Sequence, residues 1–139
     1  MNVKDVTEVT IEPGLDMLVA IFQKQRDLME KYHHIELKNN PAMCQDVPVD
    51  IHSTAGQARL KDFAWRITEE LGEAMNTLKN KPWKQSHMLT DVAHYREEIS
   101  DSFHFFVELC ILSGIGPYDL YEMYFKKNEV NKFRQRSNY

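Results

Sequence analysis

Two short acidic runs hold the side chains with the clearest chemical potential: Glu69-Glu70-Leu71-Gly72-Glu73 and Glu97-Glu98-Ile99-Ser100-Asp101. On a helix, residues three apart share a side, so Glu70 lies beside Glu73 and Glu98 beside Asp101. Two antiparallel helices carrying these pairs would turn four carboxylates toward one another. Such a set suits a hard cation such as Mg²⁺, which takes oxygen ligands and, where it also holds substrate phosphates, keeps some coordination positions open. The plain alternative is a solvated helix face, since charged residues are mostly exposed. Two features weigh against it. Glu70 borders an apolar stripe, and Asp101 shares a face with Phe105, Glu108 and Leu112 on a helix that is apolar nearly all round. An ionised carboxylate there costs several kcal/mol unless compensated, which implies a metal, a Lys or Arg partner, or raised pKa values. The metal is the first choice.

The elements that must position these residues are helical. Leu15, Leu18, Val19, Phe22 and Met29 form one stripe and predict a helix from about Leu15 to Tyr32, with Gln25 and Tyr32 at its edge. A loop is expected from His34 to about Ser53, through Lys38-Asn39-Asn40, Pro41 and Pro48. Thr54-Ala55-Gly56-Gln57 fits a capping box opening a second helix, whose stripe is Leu60, Phe63, Ile67, Leu71, Ala74 and Leu78. Asn80-Lys81-Pro82 breaks it. A third helix is expected from about Thr90 to Ser113, stopped by Gly114 and Gly116-Pro117, and a fourth from near Pro117, giving way to a polar tail. Strand signals are weak, with short candidates at Val3 to Ile11 and near Val47 to Ile51. The expected fold is all-α, a four-to-five-helix bundle forming a single domain over residues 1–139. The third and fourth helices carry more apolar surface than one small bundle covers, so a homodimer or homotetramer is expected, with the tail of one chain closing the site of another.

Charge and composition exclude several classes. The net charge is −4, with −6 on the first 114 residues and +2 on the remainder. That distribution provides no broad basic face for a nucleic acid polymer. Cys44 and Cys110 suggest no disulfide framework and fit a reducing compartment. The longest apolar run, Phe103 to Ile115, is interrupted by His104 and Glu108 and too short to cross a bilayer, so no membrane partner is expected.

Glu-Glu-x-x-Glu followed by Glu-x-x-Asp, here Glu69, Glu70, Glu73, Glu98 and Asp101, resembles the signature of the all-α NTP pyrophosphatases. That superfamily includes MazG proteins, dimeric dUTPases and phage dCTPase-dUTPases. The C-terminal run from Lys127 to Tyr139 is similar to the Lys-Asn-x-x-Asn-x-x-Arg-Gln-x-x-Gly-Tyr ending of the dimeric dUTPases, with Asn138 where that ending has Gly. The resemblance covers roughly Leu15 to the C-terminus, apart from about Lys38 to Ser53. It implies hydrolysis of nucleoside triphosphates to monophosphate and pyrophosphate with Mg²⁺, Mn²⁺ able to substitute, in a bacterial or phage-infected host cytoplasm. By resemblance Glu70, Glu73, Glu98 and Asp101 hold the metal, and Glu69 is a further ligand or orients the attacking water. Lys127 and Arg134 take the outer phosphates, and Asn128, Asn131 and Gln135 take sugar or phosphate. Gln25 is aimed at the base, while Trp83 and Tyr139 stack on it or close the pocket. His104 is a candidate support for Asp101, though a histidine hydrogen-bonded in the core is the commoner case. The ending favours dUTP- or dCTP-type pyrimidine substrates; the MazG likeness leaves purine or broad specificity as the alternative.

Two readings from other classes compete. Glu30-Lys31-Tyr32-His33 and Asp101-Ser102-Phe103-His104 approximate the acid-x-x-His pattern of a ferritin-like di-iron bundle. A non-enzymatic helical interaction module accounts for the amphipathic helices but not for carboxylates on an apolar one.

Overall fold

The computed structural model describes residues 3–6, 16–41 and 47–137. Four helices follow a 3₁₀ turn at Val3–Asp5: α1 (Met17–Asn39), α2 (Thr54–Asn76), α3 (Val92–Leu112) and α4 (Pro117–Arg136). The chain is all-α, and no strand occurs among the described residues. The strand candidate at Val47–Ile51 is instead irregular backbone that docks on the end of α3, where Val49 N–H donates to the Leu112 carbonyl at 2.9 Å. The candidate at Val3–Ile11 begins as the 3₁₀ turn, and its residues from 7 onward, like Leu15 and Cys44, lie outside the described residues.

Local chemistry sets most boundaries. Asp16, Ser53 and Asp91 cap α1, α2 and α3, each side-chain oxygen accepting from the backbone N–H three residues on. The cap of α2 is therefore Ser53, one residue before the box expected at Thr54, and Gln57 donates its side chain to the Ile51 carbonyl. Gly114, at φ 75°, closes α3 in a Schellman turn: Ile115 N–H reaches the Cys110 carbonyl and Gly114 N–H the Ile111 carbonyl. Pro117 then starts α4, with Asp119 accepting from Gly116 N–H at 2.9 Å. α1 runs seven residues past Tyr32 despite the poor propensity of Asn39, because Glu36 is held by an ion pair to Arg59 on α2.

α2 and α3 are the most extensively packed pair. They run antiparallel: Glu73 and Glu70 of α2 face Glu98 of α3, while Phe63, a turn and more earlier on α2, meets Phe105 further along α3. α1 crosses the C-terminal half of α3. One core cluster joins Phe22 with Val107, Cys110 and Ile111; the other joins Val49, Phe63 and Leu112, and Met29 bridges the two. Each fully buried side chain of this size contributes about 1.5–3 kcal/mol. The apolar character of α3 is not matched by burial all round. Val107, Cys110, Ile111 and Leu112 are buried, whereas Phe103 and Phe106, stacked on each other, are exposed in the single chain. α4 leaves α3 at 105° and packs on α1, with none of its residues buried. The stretch expected as a polar tail is helical to Arg136. No single helix among the described residues is long and apolar enough to cross a membrane.

Candidate metal centre

The antiparallel α2–α3 pair brings Glu70, Glu73 and Glu98 together, with one carboxylate oxygen from each lying within 4.8 Å of the others. The three-residue step on α2 supplies two of them, and Glu98 faces both from nearly two turns inside the N-terminus of α3. Glu98 is only 8% exposed. Its Oε1 is 3.0 Å from His94 Nε2, one helical turn back, but its buried Oε2 has no hydrogen-bond partner. A buried carboxylate oxygen with no donor costs about 1–3 kcal/mol or more.

The protonation pattern follows from this crowding. Burial, then contact with Glu98 and the charges of Glu73 and Asp101, push the Glu70 pKa up to about 7. Contact with Glu98 is the main reason that Glu73 is raised. Burial acts to raise Glu98 too, but the neighbouring Glu70 and Glu73 carboxyls and His94 outweigh it and leave Glu98 lowered. Asp101 is raised by burial and by the Glu98 charge, with His104 opposing. Without a cation, the group therefore relieves its repulsion by taking up protons on the α2 side, with Glu98 as the ionised acceptor. A divalent cation would do the same work without protons. All-oxygen ligands, one of them orphaned and buried, fit Mg²⁺ or Mn²⁺.

The remaining expected site residues fall in different places. Asp101 borders the three glutamates and interacts with them electrostatically, but its oxygens are not in the tight group. Glu69 is exposed on α2 and lies outside that group. His104 Nδ1 donates to the Ser100 carbonyl of its own helix at 2.8 Å. Trp83 is 75% exposed on the α2–α3 loop, with Lys81 Nζ 5.6 Å from its ring, and it lines neither cavity described below. Lys127, Asn128, Asn131, Arg134 and Gln135 all ride on α4. At 1.5 Å per residue and a 105° bend, the Cα atoms of Asp101 and Lys127 are on the order of 20 Å apart. Within one chain the basic segment does not reach the carboxylates. Tyr139 and Asn138 lie outside the described residues.

Two cavities lie along the helices, one of them beside the centre. One, of about 450 Å³, opens beside it between the end of α2 and the start of α3 and is lined by Glu73, Asn76, Thr77, Lys79, Thr90 and His94 among others. The loop forming its rim is tied by a reciprocal pair of 2.8 Å bonds between the Asn80 side chain and the Met88 backbone. The other, of about 200 Å³, lies further along α3 between α1, α2 and α3. Gln25 is buried near it and donates to Glu108 Oε2 at 3.4 Å, well away from the glutamates.

Sequence reasoning missed three polar contributors. His94 had a readable signal, its four-residue step to Glu98. Arg59 and Arg66, whose guanidinium carbons lie 4.8 and 4.3 Å from the Phe63 ring centroid, had one too, their four- and three-residue steps to Phe63 on α2. The two acid-x-x-His pairs of the di-iron reading are not combined: Glu30 and His33 line the smaller cavity together with Arg26 and Arg59, and His104 is turned to its own backbone. No known protein family, curated protein or solved structure matches the chain.

Proposed function

We propose that this protein is a Mg²⁺-dependent nucleoside triphosphate pyrophosphohydrolase of the MazG-like, all-α type, releasing pyrophosphate and a nucleoside monophosphate. The observation that carries the reading is the convergence of Glu70, Glu73 and Glu98, with Asp101 alongside, around the orphaned Oε2 of Glu98. Glu70, Glu73, Glu98 and Asp101 would hold the metal, which when bound neutralises phosphate charge and lowers the pKa of a coordinated water. The side chains themselves supply the rest. Glu98, kept ionised, anchors the centre, and His94 holds its Oε1 and fixes the rotamer. Lys79, Thr77, Asn76 and His94 offer donors to a polyphosphate in the larger cavity. Glu69, exposed on the same helix, is available to orient a water from the solvent side.

The same reading includes a homo-oligomer, dimer or tetramer. A 20-residue helix that buries none of its own residues, α4, gains little stability alone. Phe103 and Phe106 on α3 and Tyr121, Tyr124 and Phe125 on α4 are the exposed apolar groups a second copy would cover. In such an assembly Lys127, Asn131 and Arg134 of one chain can serve the carboxylates of its neighbour, which a single chain does not permit. Pyrimidine deoxynucleotides are the preferred substrates by the likeness of the ending, with a broader dNTP range as the alternative.

Pyrophosphate release from each dNTP and NTP, measured with Mg²⁺, tests the reading. The expected result is turnover of at least one dNTP, cut by about a hundredfold or more in Glu73→Ala and Asp101→Ala while both stay folded, as removal of a metal ligand does. Release of orthophosphate alone, or equal turnover in these variants, would refute it.

A further inference from the structure

Carboxylates alone suit Mg²⁺, but the row that faces Glu70 and Glu73 from α3 begins with an imidazole. His94, Glu98 and Asp101 stand four and three residues apart, which places them on one side of α3. His94 lines the larger cavity together with Glu73 and Asp91, and its side chain is 53% exposed there. Its backbone N–H is held by the Asp91 cap at 3.1 Å, so the ring is carried by the fixed first turn of α3. Nε2 lies 3.0 Å from Glu98 Oε1. The ring also acts on Glu73, its charge opposing the rise that contact with Glu98 produces there. His94 therefore borders two of the three converging glutamates.

An ion pair to Glu98 explains half of this arrangement. It satisfies Oε1 and leaves Oε2, in a residue only 8% exposed, with no partner. A histidine that served only to stabilise the carboxylate would leave that second oxygen untouched, whereas a cation engages the whole group. Ligands at right angles on an ion with bonds of about 2.1 Å stand about 3.0 Å apart, the separation found between Nε2 and Oε1. Two side chains four residues apart on one helix face reach a common ion, as the paired histidines of helical zinc motifs do. Nδ1 has no hydrogen-bond partner among the described residues, so it is able to carry the ring proton while Nε2 turns its lone pair to the ion.

We propose that His94 is a nitrogen ligand of the centre, acting with Glu73 and Glu98, and that it makes this chain bind a divalent ion of the first transition row in preference to Mg²⁺. The assignment rests on the metal centre of the reading above and goes beyond the carboxylate set that the resemblance implies. Mg²⁺ takes oxygen and keeps its waters, so an imidazole adds little to its binding. Ions such as Co²⁺ accept imidazole readily and stand higher in the affinity order for mixed nitrogen and oxygen sites. The carboxylates thus hold either ion, and His94 sets the difference between them.

Co²⁺ and Mg²⁺, titrated separately into the metal-free full-length protein in a calorimeter, read the preference. Proton NMR of the Co²⁺ form reads the ligand, because an imidazole bound to Co²⁺ carries its ring N–H resonance far outside the ordinary range. The wild type should show such an exchangeable resonance. His94→Ala should lose it and weaken Co²⁺ about tenfold or more, while Mg²⁺ affinity stays within about threefold. His94→Gln should behave as His94→Ala does, since its amide keeps a donor for Glu98 Oε1 but offers no ligating nitrogen lone pair. Absence of the resonance in the wild type, a result that depends on no variant folding, would overturn the assignment, as would its persistence in His94→Ala. Co²⁺ affinity kept in His94→Gln, or lost in parallel with that for Mg²⁺ in both variants, would also overturn it and leave the ring a hydrogen-bonding support of Glu98. The hydrolase reading is scored separately: pyrophosphate release from dNTPs with no His94 signal in the Co²⁺ form removes the ligand alone, and His94 ligation without any dNTP hydrolysis leaves the ligand standing and removes the enzyme.

Discussion

Replacing Glu70 by Gln should stabilise the metal-free protein at alkaline pH while weakening its response to Mg²⁺. Ligand oxygens of Glu70 and Glu98 lie within 4.8 Å of each other. Two unit charges at that distance repel by about 3.5 kcal/mol at an effective dielectric of ~20 and by about 1 kcal/mol in bulk water. The cluster opens to solvent beside Glu73, so the lower part of that range applies, and about 1–2 kcal/mol is expected once screening is included. The sign follows from Glu70, whose folded-state pKa of about 7 stands above its ordinary value of 4.5. The folded state favours the neutral carboxyl, so wild-type stability is complete below about pH 4.5 and declines as pH rises through 7. Glu70→Gln lacks that decline. In thermal unfolding without divalent cations, the variant should therefore exceed the wild type in Tm by about 3–7 °C at pH 8.5 and by almost nothing at pH 4.5. Mg²⁺ at about a hundred times its Kd adds roughly 2.7 kcal/mol to the wild type; the variant, short of one ligand charge, should gain less than half of that. A variant less stable than the wild type at pH 8.5 without metal would show that Glu70 is satisfied by donors within the protein, and equal Mg²⁺ gains would show that it is no ligand.

Three other outcomes are expected. Mg²⁺ affinity, measured calorimetrically, should rise as pH goes from 6 to 8 with protons released on binding, because Glu70 and Glu73 must give up the protons that crowding raises onto them; a pH-independent affinity would contradict this. Gly56→Ala should destabilise by about 1–3 kcal/mol in denaturant unfolding, since its Cβ would fall on the Asp50 carbonyl and force the start of α2 away from the preceding turn; an unchanged midpoint would mean that turn yields freely. The wild type should sediment as a dimer or larger at micromolar concentration, and Phe106→Glu should shift it toward monomer, because Phe106 belongs to the uncovered side of α3; a wild-type monomer would count against the oligomer.

Much of this was readable in the residues, for identifiable reasons. The convergence of Glu70, Glu73 and Glu98 follows from a three-residue step on α2 and an antiparallel α3 reached through residues 77–91, and local spacing suffices to suggest it. The end of α3 and the start of α4 are marked by Gly114 and Pro117, whose backbone preferences act locally, and the start of α2 was read one residue late, at Thr54 in place of the cap Ser53. The extension of α1 to Asn39 was hidden because it depends on Glu36 meeting Arg59, 23 residues away. Gln25 presented as an edge residue, yet it is buried against Glu108, 83 residues on, and only the crossing of α1 over α3 could reveal that. The asymmetric burial of α3 was equally hidden, since an apolar side chain records that it should be covered and not by what. The basic residues of α4 were identifiable as a group, but their distance from the carboxylates is set by the 105° turn after Gly114, and a turn angle is not encoded in periodicity.

Mn²⁺ reports directly on the centre proposed at Glu70, Glu73 and Glu98, with Asp101 beside them. Titrating the ¹⁵N-labelled protein with substoichiometric Mn²⁺ should broaden the amide signals around these four residues and His94 first, with those of α4 in the same chain unaffected until later, and Glu98→Gln should abolish the selectivity. Broadening spread evenly over the acidic surface, or centred on Asp62 and Glu122 with the α2–α3 carboxylates untouched, would contradict it.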